Sequence, residues 1–171
     1  MGPTRHTVLV TGGSGTIGRN LCRRFAEAGW HVGVHYHQHL KEAERTASLV
    51  SALNIPVSLH RADVTQRTQV EQMIKEFTEL SGGFDVLICS AGQTQEGLVL
   101  RTSASSWASI IATNLTGAYH CVQAAGRIME PRGSGAIVLL GSWSSLHGRR
   151  GLAPYTASKA GLVGLARTAA R

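Results

Sequence analysis

Short runs rich in β-branched and aliphatic residues alternate along this chain with longer stretches whose apolar positions recur every three to four residues. The runs at 7–10, 31–36, 57–60, 84–89 and 136–140 carry the extended pattern. Between them, 17–28 reads as a helix closed by Gly29, 41–53 as one ending at Asn54 before Pro56, and 66–80 as a third. Residues 105–129 read as one long helix, and a last helix begins near Pro154 and still runs at Arg171. Strands separated by helices of this length predict right-handed crossovers and a parallel sheet. The expected fold is therefore α/β: a Rossmann-type doubly wound sheet in three layers. With 171 residues and no linker, repeat or low-complexity tract, a single domain over 1–171 is expected.

The first crossover carries Thr11-Gly12-Gly13-Ser14-Gly15-Thr16-Ile17-Gly18 between strand and helix. Glycines at that turn let the backbone approach a pyrophosphate, which also meets the free amides of the helix N-terminus. Gly12, Ser14, Gly15, Thr16, Ile17 and Gly18 are thus candidate dinucleotide-binding positions. A Walker A reading fails, because no Gly-Lys-Ser/Thr follows. A carboxylate at the end of the second strand would grip the adenosine ribose and repel a 2′-phosphate. Here the segment is Val34-His35-Tyr36-His37-Gln38-His39-Leu40-Lys41, with no acid before Glu42. That favours NADP(H) over NAD(H), with Tyr36 and His37 placed at the ribose. The alternating His35, His37 and His39 also raise a metal site, but no Cys, Asp or Glu joins them at ligand spacing.

Near the C-terminal end, Tyr155 and Lys159 stand four apart, on one face of a helix. A close ammonium favours the phenolate and eases loss of the phenolic proton. Asn114 falls within the apolar stripe Trp107, Ile111, Leu115, Ala118 and Val122, where an amide must find partners. Ser142 follows the fifth strand directly, at the sheet edge where α/β sites gather. Taken locally, Asn114 reads equally as a structural amide and Ser142 as a turn serine.

Composition narrows the function classes. The net charge of +7 is spread from Arg5 to Arg171, with aromatics at 5%, so no stacked basic face for nucleic acid is expected. The longest apolar runs, such as 136–140, fall well short of a membrane span. The first six residues lead straight into a strand pattern without a leader's apolar region. Cys22, Cys89 and Cys121 show no ligand spacing and read as reduced buried thiols, consistent with a cytoplasmic location.

Together these residues resemble the short-chain dehydrogenase/reductase family over the whole chain. The family's Tyr-x-x-x-Lys is similar to Tyr155 and Lys159, its catalytic serine to Ser142, and its helix asparagine to Asn114. Asp63-Val64 after the third strand resembles the adenine-contacting pair. The family's Asn-Asn-Ala-Gly is matched in part by Cys89-Ser90-Ala91-Gly92, which implies that Ser90, Ala91 and Gly92 border the cofactor. The region from Gly141-Ser142 to Gly164 resembles 3-oxoacyl-acyl-carrier-protein reductases, whereas the Gly15/Gly18 spacing is more like the sugar-nucleotide branch. The resemblance implies an NAD(P)H-dependent carbonyl reductase with Asn114, Ser142, Tyr155 and Lys159 as catalytic residues. Tyr155 and Lys159 would also contact the cofactor. A small or acyl-carrier-bound carbonyl substrate and a homo-oligomer formed through the last two helices are further implications. Alternatives are a dehydrogenase of a sugar or other secondary alcohol, and a dinucleotide-binding module without turnover. Family members continue through further strands and a substrate lid, so the sheet is expected to be incomplete on its C-terminal side.

Overall fold

A computed structural model describes residues 5–171; Met1–Thr4, on which part of the leaderless reading rests, lie outside the described residues. Five strands form one parallel sheet: β1 (Thr7–Thr11), β2 (His31–Tyr36), β3 (Val57–Arg61), β4 (Val86–Cys89) and β5 (Ala136–Leu139). Their spatial order is β3-β2-β1-β4-β5, the doubly wound arrangement, with a switch point between β1 and β4. Alternation along β1 decides the two cores. Val8 and Val10 join Val32, Val34 and Ile88 beneath α1 (Thr16–Glu27) and α2 (Leu40–Ser51). Leu9 points the other way, with Leu87, Phe77 and Met73, beneath α3 (Arg67–Ser81) and α5 (Gly117–Arg132). Gly33 on β2 is required by that packing, since a Cβ there would stand 2.7 Å from both Leu9 and the Phe77 ring.

The stretch expected as one helix is continuous but composite. Helix α4 (Ala104–Ile111) passes through a π-turn at Ala112–Thr116 into α5. The wider turn sits at Asn114, a common association between π-turns and functional positions. The buried face runs through Ile110, Asn114, Gly117, Ala118, Cys121 and Ala125, and Trp107, expected in the stripe, is 43% exposed. After β5 a short helix α6 (Ser144–His147), not foreseen from the periodicity, precedes α7 (Ala153–Ala169). β5 occupies an edge and pairs with β4 alone among the described residues. Its apolar run predicts burial on both faces, yet Ala136 and Val138 are exposed while Ile137 and Leu139 pack inward. All three cysteines are buried and free, and burial pushes the Cys22 thiol up to about 12.

Candidate functional site

The turn after β1 is held from three sides. Gly12 has the left-handed φ of 68°, and a Cβ on it would come within 2.9 Å of the Ala91 backbone. A Cβ on Gly18 would strike the Gly12 carbonyl oxygen, so α1 can begin this close only with glycine there. Gly15, by contrast, has φ −81° and needs no special conformation. The buried His35 ring fixes the turn from beneath: its Nδ1 accepts from the Gly12 amide at 2.9 Å and its Nε2 donates to the Ala62 carbonyl at 3.0 Å. That pattern requires the neutral ring, and burial pushes His35 down to about 4. No side chain caps α1, which leaves the Thr16, Ile17 and Gly18 amides without intrahelical partners. Three free donors, a positive helix end and a wall that admits no Cβ fit a pyrophosphate.

Thr11 carries the line of the site across the switch point. Its hydroxyl accepts from the Ser90 and Ala91 amides, each at 3.1 Å, and donates to the Ile88 carbonyl. This draws Ser90-Ala91-Gly92 against Gly12. A Cβ on Gly92 would lie 3.3 Å from Asn114 Oδ1 and 3.9 Å from Lys159 Nζ. The glycine turn, the β4 end, Asn114 and Lys159 are therefore one continuous surface.

Asn114, 1% exposed, finds partners for both ends of its amide. Oδ1 accepts from the Gln93 amide at 2.8 Å, while Nδ2 donates to the Gln93 carbonyl at 2.9 Å and to Ser158 Oγ at 3.1 Å. Ser158 Oγ donates in turn to the Tyr155 carbonyl at 2.6 Å. Lys159 Nζ donates to the Leu140 carbonyl at 2.6 Å and lies 5.8 Å from the centroid of the Tyr155 ring. Burial holds the Lys159 ammonium below its usual value, with buried Cys89 pulling weakly the other way. Pro154 in the first turn of α7 sets the half-buried Tyr155 at the start of that helix, where partial positive charge gathers.

Ser142 stands two residues beyond Leu140, on the loop joining β5 to α6. Its Oγ lies 2.9 Å from Ser144 Oγ and accepts from the Ser144 amide at 3.2 Å. Since α6 packs on α7, this loop borders the helix that carries Tyr155. An ammonium beside a phenol, with an amide network behind them, is equipped to hold and pass a proton.

A cleft of about 550 Å³ runs along the same edge, lined by Gly12, Ser14, His37, Asp63, Val64, Ala91 and Gly92, among others. Partial burial works against ionisation of Asp63, but hydrogen bonds from the Thr65 amide and hydroxyl hold its carboxyl below the usual value. Val64 packs against Gly117, where a Cβ would be 2.7 Å away. Tyr36 does not line the cleft; its side chain is half-buried against the α1–α2 core. Ile17 is 64% exposed at the mouth of α1. The described residues include no group of three His, Cys, Asp or Glu side chains placed to hold a metal.

Four further residues belong to this site. Thr11 opens the glycine turn, and that position is its signal. His35 is visible in the sequence only as one of three alternating histidines. Ser158 lies between Tyr155 and Lys159. Gln93 bonds Asn114 through its backbone and Ser109 and Thr113 through Nε2, and nothing in its local sequence marks it.

The fold and this edge together are those of an α/β protein of the Rossmann type. A profile of the short chain dehydrogenase family matches residues 6–171, and the chain belongs to that family of oxidoreductases. It is 38% identical to a 3-oxoacyl-acyl-carrier-protein reductase, FabG, of Staphylococcus aureus over 96% of this chain and 67% of the relative. A 3-oxoacyl-acyl-carrier-protein reductase of Synechocystis is 33% identical over 98% of this chain and 68% of the relative. A crystal structure from Sinorhizobium meliloti 1021, assigned as a short-chain alcohol dehydrogenase, superposes with a TM-score of 0.91 at 35% identity. That superposition covers 95% of this chain and 64% of the other, so the chain spans about two thirds of the length of these relatives.

Proposed function

We propose that this chain carries the dinucleotide site and proton-transfer residues of an NADP(H)-dependent reductase of carbonyl groups, of the 3-oxoacyl-thioester type. The observation that carries the reading is the unbroken surface from Gly12 through Ala91 and Gly92 to Asn114, Lys159 and Tyr155. It sets a phosphate cradle and a proton donor at the two ends of one cleft edge. The Thr16, Ile17 and Gly18 amides would hold the pyrophosphate, and Asp63 and Val64 the adenine. When bound, the dinucleotide supplies the hydride.

Tyr155 donates its phenolic proton to the carbonyl oxygen as negative charge grows there. Lys159, partly desolvated, favours the phenolate left behind, and a proton from solvent then restores the phenol. Ser142 donates a hydrogen bond to the same developing alkoxide, after its hydroxyl turns from Ser144. Asn114 holds the Gln93 backbone and Ser158 in place, so that the start of α7 presents Tyr155 at a fixed angle. The substrate is a small or acyl-carrier-bound carbonyl compound, which the similarity to the two reductases supports. A cytoplasmic homo-oligomer is the setting we assign.

Tyr155→Phe in the full natural polypeptide tests this. The phenyl ring keeps the shape and loses the transferable proton. Reduction of a 3-oxoacyl thioester should be abolished, while dinucleotide affinity stays within a few-fold. Unchanged turnover would sink the mechanism.

A further inference from the structure

The cleft that receives the adenosine end contains no lysine or arginine among its described lining residues. Its ionisable groups are three imidazoles, His35, His37 and His39, and one carboxylate, Asp63. The nearby guanidiniums are engaged elsewhere. Arg19 pairs with Glu42 and donates to the Ser14 carbonyl and Thr46 Oγ1, and Arg45 pairs with Glu42 at 2.6 Å. Lys41 lines a separate, open hollow with Arg19 and Arg45 on the α1–α2 flank.

His35 has both ring nitrogens committed to Gly12 and Ala62 and is buried. That leaves His37, its side chain 47% exposed with Nε2 3.8 Å from Asp63 Oδ2, and the exposed His39 just before α2. We propose that preference for a 2′-phosphorylated dinucleotide is set by a proton on His37, assisted by His39, and not by a permanent cation. The inference rests on the dinucleotide reading above.

The charges facing His37 come from two directions. One is Asp63, from the loop after β3, and the other is the buried His35, from within β2. The glycine turn and Thr65 bring no charge. Imidazole is the side chain whose ordinary titration lies between about pH 5 and 8. With His37 and His39 neutral, the subsite holds only the Asp63 charge, which repels a 2′-phosphate and leaves a 2′-hydroxyl unaffected. With His37 charged, Asp63 is balanced and the phosphate gains a partner. The phosphate monoester itself takes up a proton near about pH 6, which weakens its contacts in acid. Because that proton also eases repulsion by Asp63, a rise in affinity as pH falls is assigned to the protein only where the histidine variants remove it.

Calorimetric titration of the chain with NADP+ and NAD+ at about pH 6 and about pH 8, at constant ionic strength, measures this. One proton taken up on binding changes affinity by at most about tenfold per pH unit. NADP+ should bind about tenfold more tightly at the lower pH while NAD+ stays level. His37→Gln should remove the rise, and His37→Arg should bind NADP+ tightly at both pH values. An NADP+/NAD+ ratio independent of pH, or a rise that survives in the His37→Gln, His39→Gln double variant, overturns the proposal. Failure of both dinucleotides to bind at either pH overturns the dinucleotide reading with it.

Discussion

The amide of Gly12 donates to Nδ1 of His35 at 2.9 Å, so a buried imidazole on β2 holds the turn that opens toward the phosphates. The bond exists only while that nitrogen is unprotonated. Burial pushes His35 down to about 4 from an ordinary value of 6.5. A histidine whose folded value is lowered contributes stability that is complete above 6.5 and is lost as pH falls toward 4. The shift corresponds to about 3 kcal/mol. Urea midpoints measured from neutral pH down to about 4 should fall, with His31 and His60, also lowered by burial, adding to the slope. His35→Asn keeps an acceptor for the Gly12 amide and removes the titration, so its stability should decline less steeply. A slope equal to that of the unaltered chain would mean that His35 does not titrate with unfolding.

Asn114 and Ser158 form the second joint, where the π-turn meets α7. Asn114→Ala leaves the Gln93 amide and carbonyl without their buried partner, at a cost of about 2–3 kcal/mol. Ser158→Ala alone should cost about 1 kcal/mol. Because the two side chains share one bond, the double variant should lose less than the sum, with a coupling of at least about 0.5 kcal/mol. Strict additivity in the double-mutant cycle would show that the bond does not join the two elements in solution.

Why some of this was readable before the structure and some was not follows from the range of each interaction. Strand 31–36 and the glycine turn are set by local patterns: β-branched alternation, and a backbone that must approach phosphate. Tyr155 and Lys159 share a helix face, which spacing alone reveals. The Gln93–Asn114 pair joins residues 21 apart and Thr11–Ala91 residues 80 apart, through backbone groups that carry no sequence signature. His35 shows the same limit. Three alternating histidines suggest a shared role, yet β2 ends at Tyr36, so His35 is buried within the strand while His37 stands exposed beyond its end. Helical spacing also fits Trp107 to the stripe of the long helix, but the packing of α4 leaves it outward.

The free side of β5 leads to the last prediction. β5 pairs with β4 and offers an unpaired backbone edge on its other side among the described residues. Val138 is 44% exposed on it, and Ile137 and Leu139 line an apolar hollow of about 460 Å³ with Val122, Met129 and Ala166. Natural edges escape pairing through charge, proline or a bulge, and Ala136–Leu139 has no charged residue or proline. An unpaired apolar edge of this kind recruits another strand, because pairing satisfies the backbone and removes Val138 from water together. The 171-residue chain should therefore associate in light scattering at micromolar concentration. Val138→Lys places a charge on the exposed face without disturbing the inward-facing Ile137 and Leu139, and it should shift the population toward monomer with little change in thermal unfolding. A monodisperse monomer from the unaltered chain, or association undiminished in Val138→Lys, would show that the β5 edge is not what joins the molecules.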